Sequence, residues 1–211
     1  MNKVDKILTI LKKEYPDFST ALIHRNPLQL LVATILSAQC TDVRVNMVTK
    51  ELFKKYKTAE DYARADIKKF EQEVRSTGFY HNKAKNIIGA AKMIIDRFGG
   101  KVPDSMEKLV QLPGVARKTA NIVLAHGYNK IEGIAVDTHV RRVSFRLGLT
   151  KNEDPVKIEQ DLMKITEKKD WANLSDLLIA HGRATCTAAK PKCLECVLSH
   201  LCPSKKLFCP K

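Results

Sequence analysis

The cysteines are the first residues whose spacing implies chemistry. Four of the six fall within residues 186–202, as Cys186-x6-Cys193-x2-Cys196-x5-Cys202; Cys209 comes soon after and Cys40 stands far away. Four thiolates so close in sequence can wrap one metal centre. A single zinc ion is usually held by paired CxxC knuckles, and only one such pair exists here. Wide, unequal spacing suits a [4Fe–4S] cluster, whose ligands are cysteines. Spacing alone also permits a quartet of Cys193, Cys196, Cys202 and Cys209. Lys190 and Lys192 flank Pro191 inside this segment, so a centre that pins the loop would present two cations to phosphates. Cys40 ends an apolar stretch and reads as core packing.

A second constellation is the nonapeptide from Leu112 to Ala120, which includes Pro113, Gly114, Ala116, Arg117 and Lys118. Pro-Gly makes a tight turn, and glycine lets the backbone approach a ligand closely. A helix starting after it turns unpaired N–H groups outward, a natural phosphate site beside Arg117 and Lys118. Contacts of this type hold a nucleic-acid backbone without reading its sequence. Taken by itself, the segment is equally well an ordinary helical hairpin. Asp137 precedes Thr138 and His139 and has the position of a helix N-cap.

These residues must be positioned by helices. Residues 86–98 carry apolar side chains at helical spacing and are stopped by Gly99 and Gly100. Asn26 and Pro27 form a cap-plus-proline start for an apolar, buried helix, and Asp154 and Pro155 repeat that signature. Thr41 or Asp42 caps a helix reaching about Lys55. Leu174, Leu177, Leu178 and His181 line one face of a further long helix. No alternating strand and no Asn-Gly or Asp-Gly β-hairpin is present, so the fold class is all-α. The best inter-domain loop lies between Gly127 and Gly133.

Composition narrows the partners. With 37 Lys+Arg against 23 Asp+Glu in 211 residues, the net charge of +14 points to nucleic acid. A hydrophobic fraction of 44% excludes a disordered chain. No apolar run approaches a membrane span, and the N-terminus has no signal-peptide core. The expectation is a soluble, intracellular protein, cytoplasmic or nucleoid-associated and not secreted.

The ordered set of segments resembles the endonuclease III family of DNA glycosylases in the helix-hairpin-helix superfamily. Beside the hairpin and the cysteines, the likeness rests on residues 36–42 (LSAQCTD), 78–84 (GFYHNKA), 135–140 (AVDTHV) and 181–183 (HGR). It extends from about Asn26 to Cys202. The resemblance implies a six-helix barrel domain at 22–132 and a second helical domain built from 1–21 and 133–211. It selects Cys186, Cys193, Cys196 and Cys202 as ligands of a [4Fe–4S] cluster and leaves Cys209 out. The partner it implies is duplex DNA carrying damaged bases or abasic sites, met by a monomer with no obligate protein partner.

The resemblance also implies roles. Gln39 and Phe79 would fill the gap left when a nucleotide is flipped out of the stack. Gly114, Ala116 and Arg117 would hold the DNA backbone. Lys118 would attack the sugar C1′ and form a Schiff base, and Asp137 would stabilise the positive charge that develops. The activity implied is that of a bifunctional glycosylase and AP lyase acting on oxidised pyrimidines. A mismatch glycosylase without lyase activity, and a non-catalytic DNA-binding iron–sulfur module, are the competing readings. Thr34 stands where an adenine-removing relative has a catalytic glutamate. Ala116 departs from the family's second hairpin glycine; alanine accepts positive φ poorly, which predicts a slightly weaker or differently shaped backbone contact there.

Overall fold

The computed structural model describes residues 2–208. Its helices are α1 (Lys3–Glu14), α2 (Pro27–Leu36), α3 (Asp42–Lys55), α4 (Ala59–Ala63), α5 (Ile67–Val74), α6 (Tyr80–Phe98), α7 (Met106–Leu109), α8 (Arg117–Ile122), α9 (Thr138–Arg146), α10 (Pro155–Ile165), α11 (Trp171–Ala184) and α12 (Lys205–Phe208). No strand occurs among the described residues. No helix among them is long and apolar enough to cross a membrane.

Local chemistry sets most helix starts. The Asn26 side chain accepts from the Gln29 N–H and is followed by Pro27 at the first helical position. Thr41 caps α3, and Asp154 accepts from the Val156 and Lys157 N–H groups before α10. Helix α6 ends at Gly99, whose φ of +61° is the left-handed conformation that closes a helix end.

The chain divides into two compact units, residues 20–132 and residues 1–19 with 133–211. In the first, α2 is the central element: every residue from Leu30 to Leu36 is buried. That explains its apolar character on all sides. Around it α6 presents Ala84, Ile87, Ala91 and Ile94, while Leu52, Tyr62, Phe70, Leu112 and Leu124 complete the core. In the second unit α11 packs against α9 and α1. Its core joins Ile7 and Leu11 of α1 to Val140, Val143, Leu174, Leu177 and Leu178. Trp171 packs partly buried against this core and donates its indole N–H to the Thr166 carbonyl, 3.0 Å away.

Candidate active site and metal centre

The hairpin is built from α7, a turn and α8. The Val115 N–H donates to the Leu112 carbonyl at 3.1 Å, closing a four-residue turn with Pro113 second and Gly114 third. Gly114 has φ +77°, the value a type II turn requires at its third residue. A Cβ there would also meet Asn86 Cβ of α6 at 2.8 Å, so both conformation and space call for glycine. Ala116 does not take the positive φ that alanine accepts poorly. Its φ is −87° with extended ψ, because it is the N-cap of α8, where any L-residue is at ease. Alanine has no cap acceptor, and α8 starts without a side-chain cap bond. Gly114, Ala116 and Arg117 are exposed, and Lys118 is half-buried in the first turn of α8.

Two further residues of the same unit have an unusual backbone. Gln39 and Phe79 have φ of +52° and +49°; among the described non-glycine residues only Asn129 shares this region. Left-handed backbone is uncommon for such side chains and clusters at functional sites. Gln39 is exposed in the turn after α2. Phe79, at the N-cap of α6, is 63% exposed, which rules out a core role for this aromatic. Thr34 is buried and donates its hydroxyl to the Leu30 carbonyl at 2.7 Å.

Asp137 lies in the other unit, as the N-cap of α9. Its Oδ1 accepts from the His139 and Val140 N–H groups, both at 2.8 Å. The carboxylate is therefore fixed in orientation. Five residues further, Arg142 donates to the Gly182 carbonyl at 2.8 Å and to the Cys186 carbonyl at 3.0 Å. Its guanidinium also meets His139 Nδ1 at 3.1 Å. Burial pulls the His139 pKa below its ordinary value.

Cys186, Cys193, Cys196 and Cys202 all line one open pocket beside α9 and α11. Among the described residues no three His, Cys, Asp or Glu side chains converge as one metal ion requires. His200, inside the segment, is exposed and absent from the lining. Arg146 binds this loop: its guanidinium donates to the Thr187 and Ala188 carbonyls at 2.7 and 2.9 Å and points to Cys186 Sγ at 3.4 Å. It also stacks on the Phe208 ring, 4.1 Å from the centroid. His181 Nε2 lies 3.5 Å from Cys196 Sγ, and its Nδ1 meets the Tyr15 hydroxyl at 3.1 Å. Burial pushes the His181 pKa down to about 4, so the ring is neutral. Burial, with Cys186 and Cys202 nearby, pushes the Cys196 thiol up. Lys190 and Lys192 are exposed on the loop. The alternative ligand Cys209 lies outside the described residues.

Sequence reasoning missed three polar residues that hold these parts: Arg142, Arg146 and Lys83. Lys83 stands in the segment 78–84 (GFYHNKA) and on the apolar face of α6, with Ala84, Ile87 and Ile88, but neither signal assigns it a partner.

Comparison with known proteins gives a consistent picture. Residues 32–168 match the HhH-GPD superfamily base excision DNA repair protein family. The chain is 56% identical to endonuclease III of Synechocystis sp., over 96% of this chain and 92% of that protein. It is 46% identical to endonuclease III of Bacillus subtilis, with the same coverages. Two solved structures superpose with a TM-score of 0.93 at 44% identity, over 98% of each chain: a non-covalent endonuclease III–DNA complex and a trapped endonuclease III–DNA covalent intermediate.

Proposed function

The chain belongs to the endonuclease III family of base-excision repair proteins, and from that premise we propose that it excises damaged bases from duplex DNA and cleaves the strand at the abasic site. The observation that carries this reading is the half-buried Lys118, the second residue of the helix that begins after the Pro113-Gly114 turn. An amine held beside a phosphate-binding backbone can reach a sugar whose flanking phosphates that backbone grips. The relative trapped covalently on DNA supports covalent chemistry at such a site.

Base release and strand cleavage follow one another on the same sugar. Lys118 Nζ, once it has given up its proton, attacks C1′ of the flipped nucleotide. The glycosidic C–N bond breaks, and its electron pair leaves with the base, which takes up a proton. The nitrogen then loses a proton, its lone pair forms the C=N bond as the C1′–O4′ bond breaks, and O4′ takes up a proton, which gives an iminium ion joining Nζ to C1′. This cation acidifies the C2′ proton. Removal of that proton expels the 3′ phosphate by β-elimination. Water then hydrolyses the imine and returns Lys118. Asp137 is the carboxylate for the positive charge on the sugar; two backbone donors on Oδ1 hold it in a fixed direction. Gln39 and Phe79, exposed on left-handed backbone, fill the space the flipped nucleotide vacates. Gly114, Ala116, Arg117, Lys190 and Lys192 meet phosphates. The substrate class we propose is oxidised pyrimidines. Thr34, whose hydroxyl is spent on Leu30, offers no carboxylate for adenine removal.

Cys186, Cys193, Cys196 and Cys202 fit a [4Fe–4S] cluster: all four donors are thiols lining one pocket, with Arg146 beside them to offset negative charge. When bound, the cluster would act as a covalent clamp that fixes the loop carrying Lys190 and Lys192.

A labelled duplex with one thymine glycol tests the reading, with base release and strand cleavage measured separately. The unaltered protein is expected to do both. Lys118→Gln should bind the duplex yet lose strand cleavage. Cleavage by Lys118→Gln at the unaltered rate, or tight binding of the lesion without any turnover, would overturn the assignment.

A further inference from the structure

Lys83 is 4% exposed, although its side chain is charged. Its ammonium donates to the Leu36 carbonyl at 2.8 Å and to the Thr77 carbonyl at 2.7 Å. Both acceptors are helix-end carbonyls. Leu36 is the last residue of α2, and Thr77 closes the short 3₁₀ turn Arg75–Thr77. Carbonyls at helix ends lack partners within the helix, and a cation there also meets the negative end of the α2 dipole. One side chain thus ties two segments that are 41 residues apart in sequence, from Leu36 to Thr77.

The residues just beyond the two acceptors give the contact its meaning. Three residues after Leu36 comes Gln39, and two residues after Thr77 comes Phe79. These are the two exposed residues in left-handed backbone that the proposed function uses to fill the gap in the duplex. Neither conformation is one its side chain favours, so each must be held by its surroundings. The turn after α2 carries short-range bonds, among them Ala38 N–H to the Ile35 carbonyl and Cys40 N–H to the Ser37 carbonyl. The loop before α6 has the Gly78 N–H on the Arg75 carbonyl. Lys83, in the first turn of α6, joins the two.

We propose that Lys83 is a positioning residue that fixes the spacing of Gln39 and Phe79, so that the two enter the duplex as one rigid pair. This rests on the gap-filling role proposed for them. Lys83 itself touches no substrate. It is buried, and two carbonyls share its ammonium; burial also draws its pKa below the ordinary lysine value.

The test compares two substrates. One is a duplex with a thymine glycol, which needs a flipped nucleotide and a filled gap. The other is a single-stranded oligonucleotide with a preformed abasic site, which needs neither. Lys83→Met keeps the length of the side chain and removes its donors. It should lower kcat/KM on the duplex by about ten- to a hundred-fold, the scale of one or two lost charge-assisted hydrogen bonds. Cleavage of the single strand should stay within about threefold. In a chain already carrying Gln39→Ala and Phe79→Ala, Lys83→Met should add little, because it acts through residues already removed. Equal losses on both substrates would mark a general loosening of the unit and overturn the proposal, as would full additivity. If Gln39→Ala and Phe79→Ala leave duplex turnover unchanged, the gap-filling reading itself fails; if they impair it while Lys83→Met adds independently, only the role of Lys83 fails. Should Lys83→Met not fold, hydrogen exchange on the unaltered protein decides. The amides of residues 37–40 and 78–80 should open as one cooperative unit, and opening constants more than about tenfold apart would overturn the clamp.

Discussion

Asp137 caps α9, and we propose that it also acts in catalysis; substitutions can separate the two. As the N-cap of α9 it accepts two backbone N–H bonds at 2.8 Å through Oδ1. In the proposed reaction its charge would stabilise the cation formed on the sugar. Asp137→Ala removes both functions. Loss of the cap costs about 1 kcal/mol, within a range of about 0.5–2. For a chain of this size that lowers the melting midpoint by roughly 2–4 °C per kcal/mol. Asp137→Asn retains an acceptor oxygen in the same place, so its stability should stay within a few tenths of a kcal/mol. It still lacks the charge. Both variants should therefore lose about 10²–10³-fold in single-turnover base release, the usual effect of removing a group aimed at transition-state charge. Thermal unfolding by circular dichroism and single-turnover kinetics on one lesion duplex read the two quantities separately. Turnover of Asp137→Asn within about threefold of the unaltered protein would reduce Asp137 to a cap. A melting loss in Asp137→Asn as large as in Asp137→Ala would refute the capping geometry.

Other substitutions probe other parts. Gly114→Ala must adopt a left-handed φ, at about 1–2 kcal/mol, and also displace Asn86, which lies 2.8 Å from the new Cβ. Denaturant unfolding should show a loss of about 2–4 kcal/mol, together with weaker binding to undamaged duplex; an unchanged midpoint would contradict the turn geometry. Lys12 donates to Asp170 at 2.7 Å, and this contact, first among its causes, holds the Asp170 carboxyl below its ordinary value. The folded pKa lies below the unfolded one, so the stabilisation is complete above about pH 4 and is lost as pH falls through the lowered value. Lys12→Met should flatten that acid limb in urea unfolding, and an identical pH profile would argue against it. The purified protein should contain iron and acid-labile sulfide in equal amounts. Cys202→Ser should lose both, whereas stoichiometric zinc in their place would contradict the cluster.

What the sequence made legible was local. Asn26-Pro27, Asp154-Pro155 and Gly99 act within one helical turn, so their chemistry can be read without the fold. The Pro113-Gly114 turn is legible for the same reason. The positive-φ argument at Ala116 does not apply because the position is extended, which depends on where α8 begins. Lys83, Arg142 and Arg146 were not legible. Their partners lie 47, 44 and 41 residues away, at Leu36, Cys186 and Thr187, and nothing local marks a lysine or arginine for such a carbonyl. The left-handed backbone of Gln39 and Phe79 was equally hidden, since neither residue type advertises a positive φ. The end of the hairpin's second helix also differs from simple periodicity: Val123–Gly127 widens into a π-turn.

The central claim is that Lys118 is the covalent nucleophile. Borohydride added during reaction with a thymine glycol duplex would reduce the iminium to a stable amine. Protease digestion and mass spectrometry would then locate the sugar adduct. The adduct is expected on the peptide containing Lys118, and it should be absent in Lys118→Gln while duplex binding remains. An adduct on another lysine, or base release with no trapped species at all, would contradict the assignment.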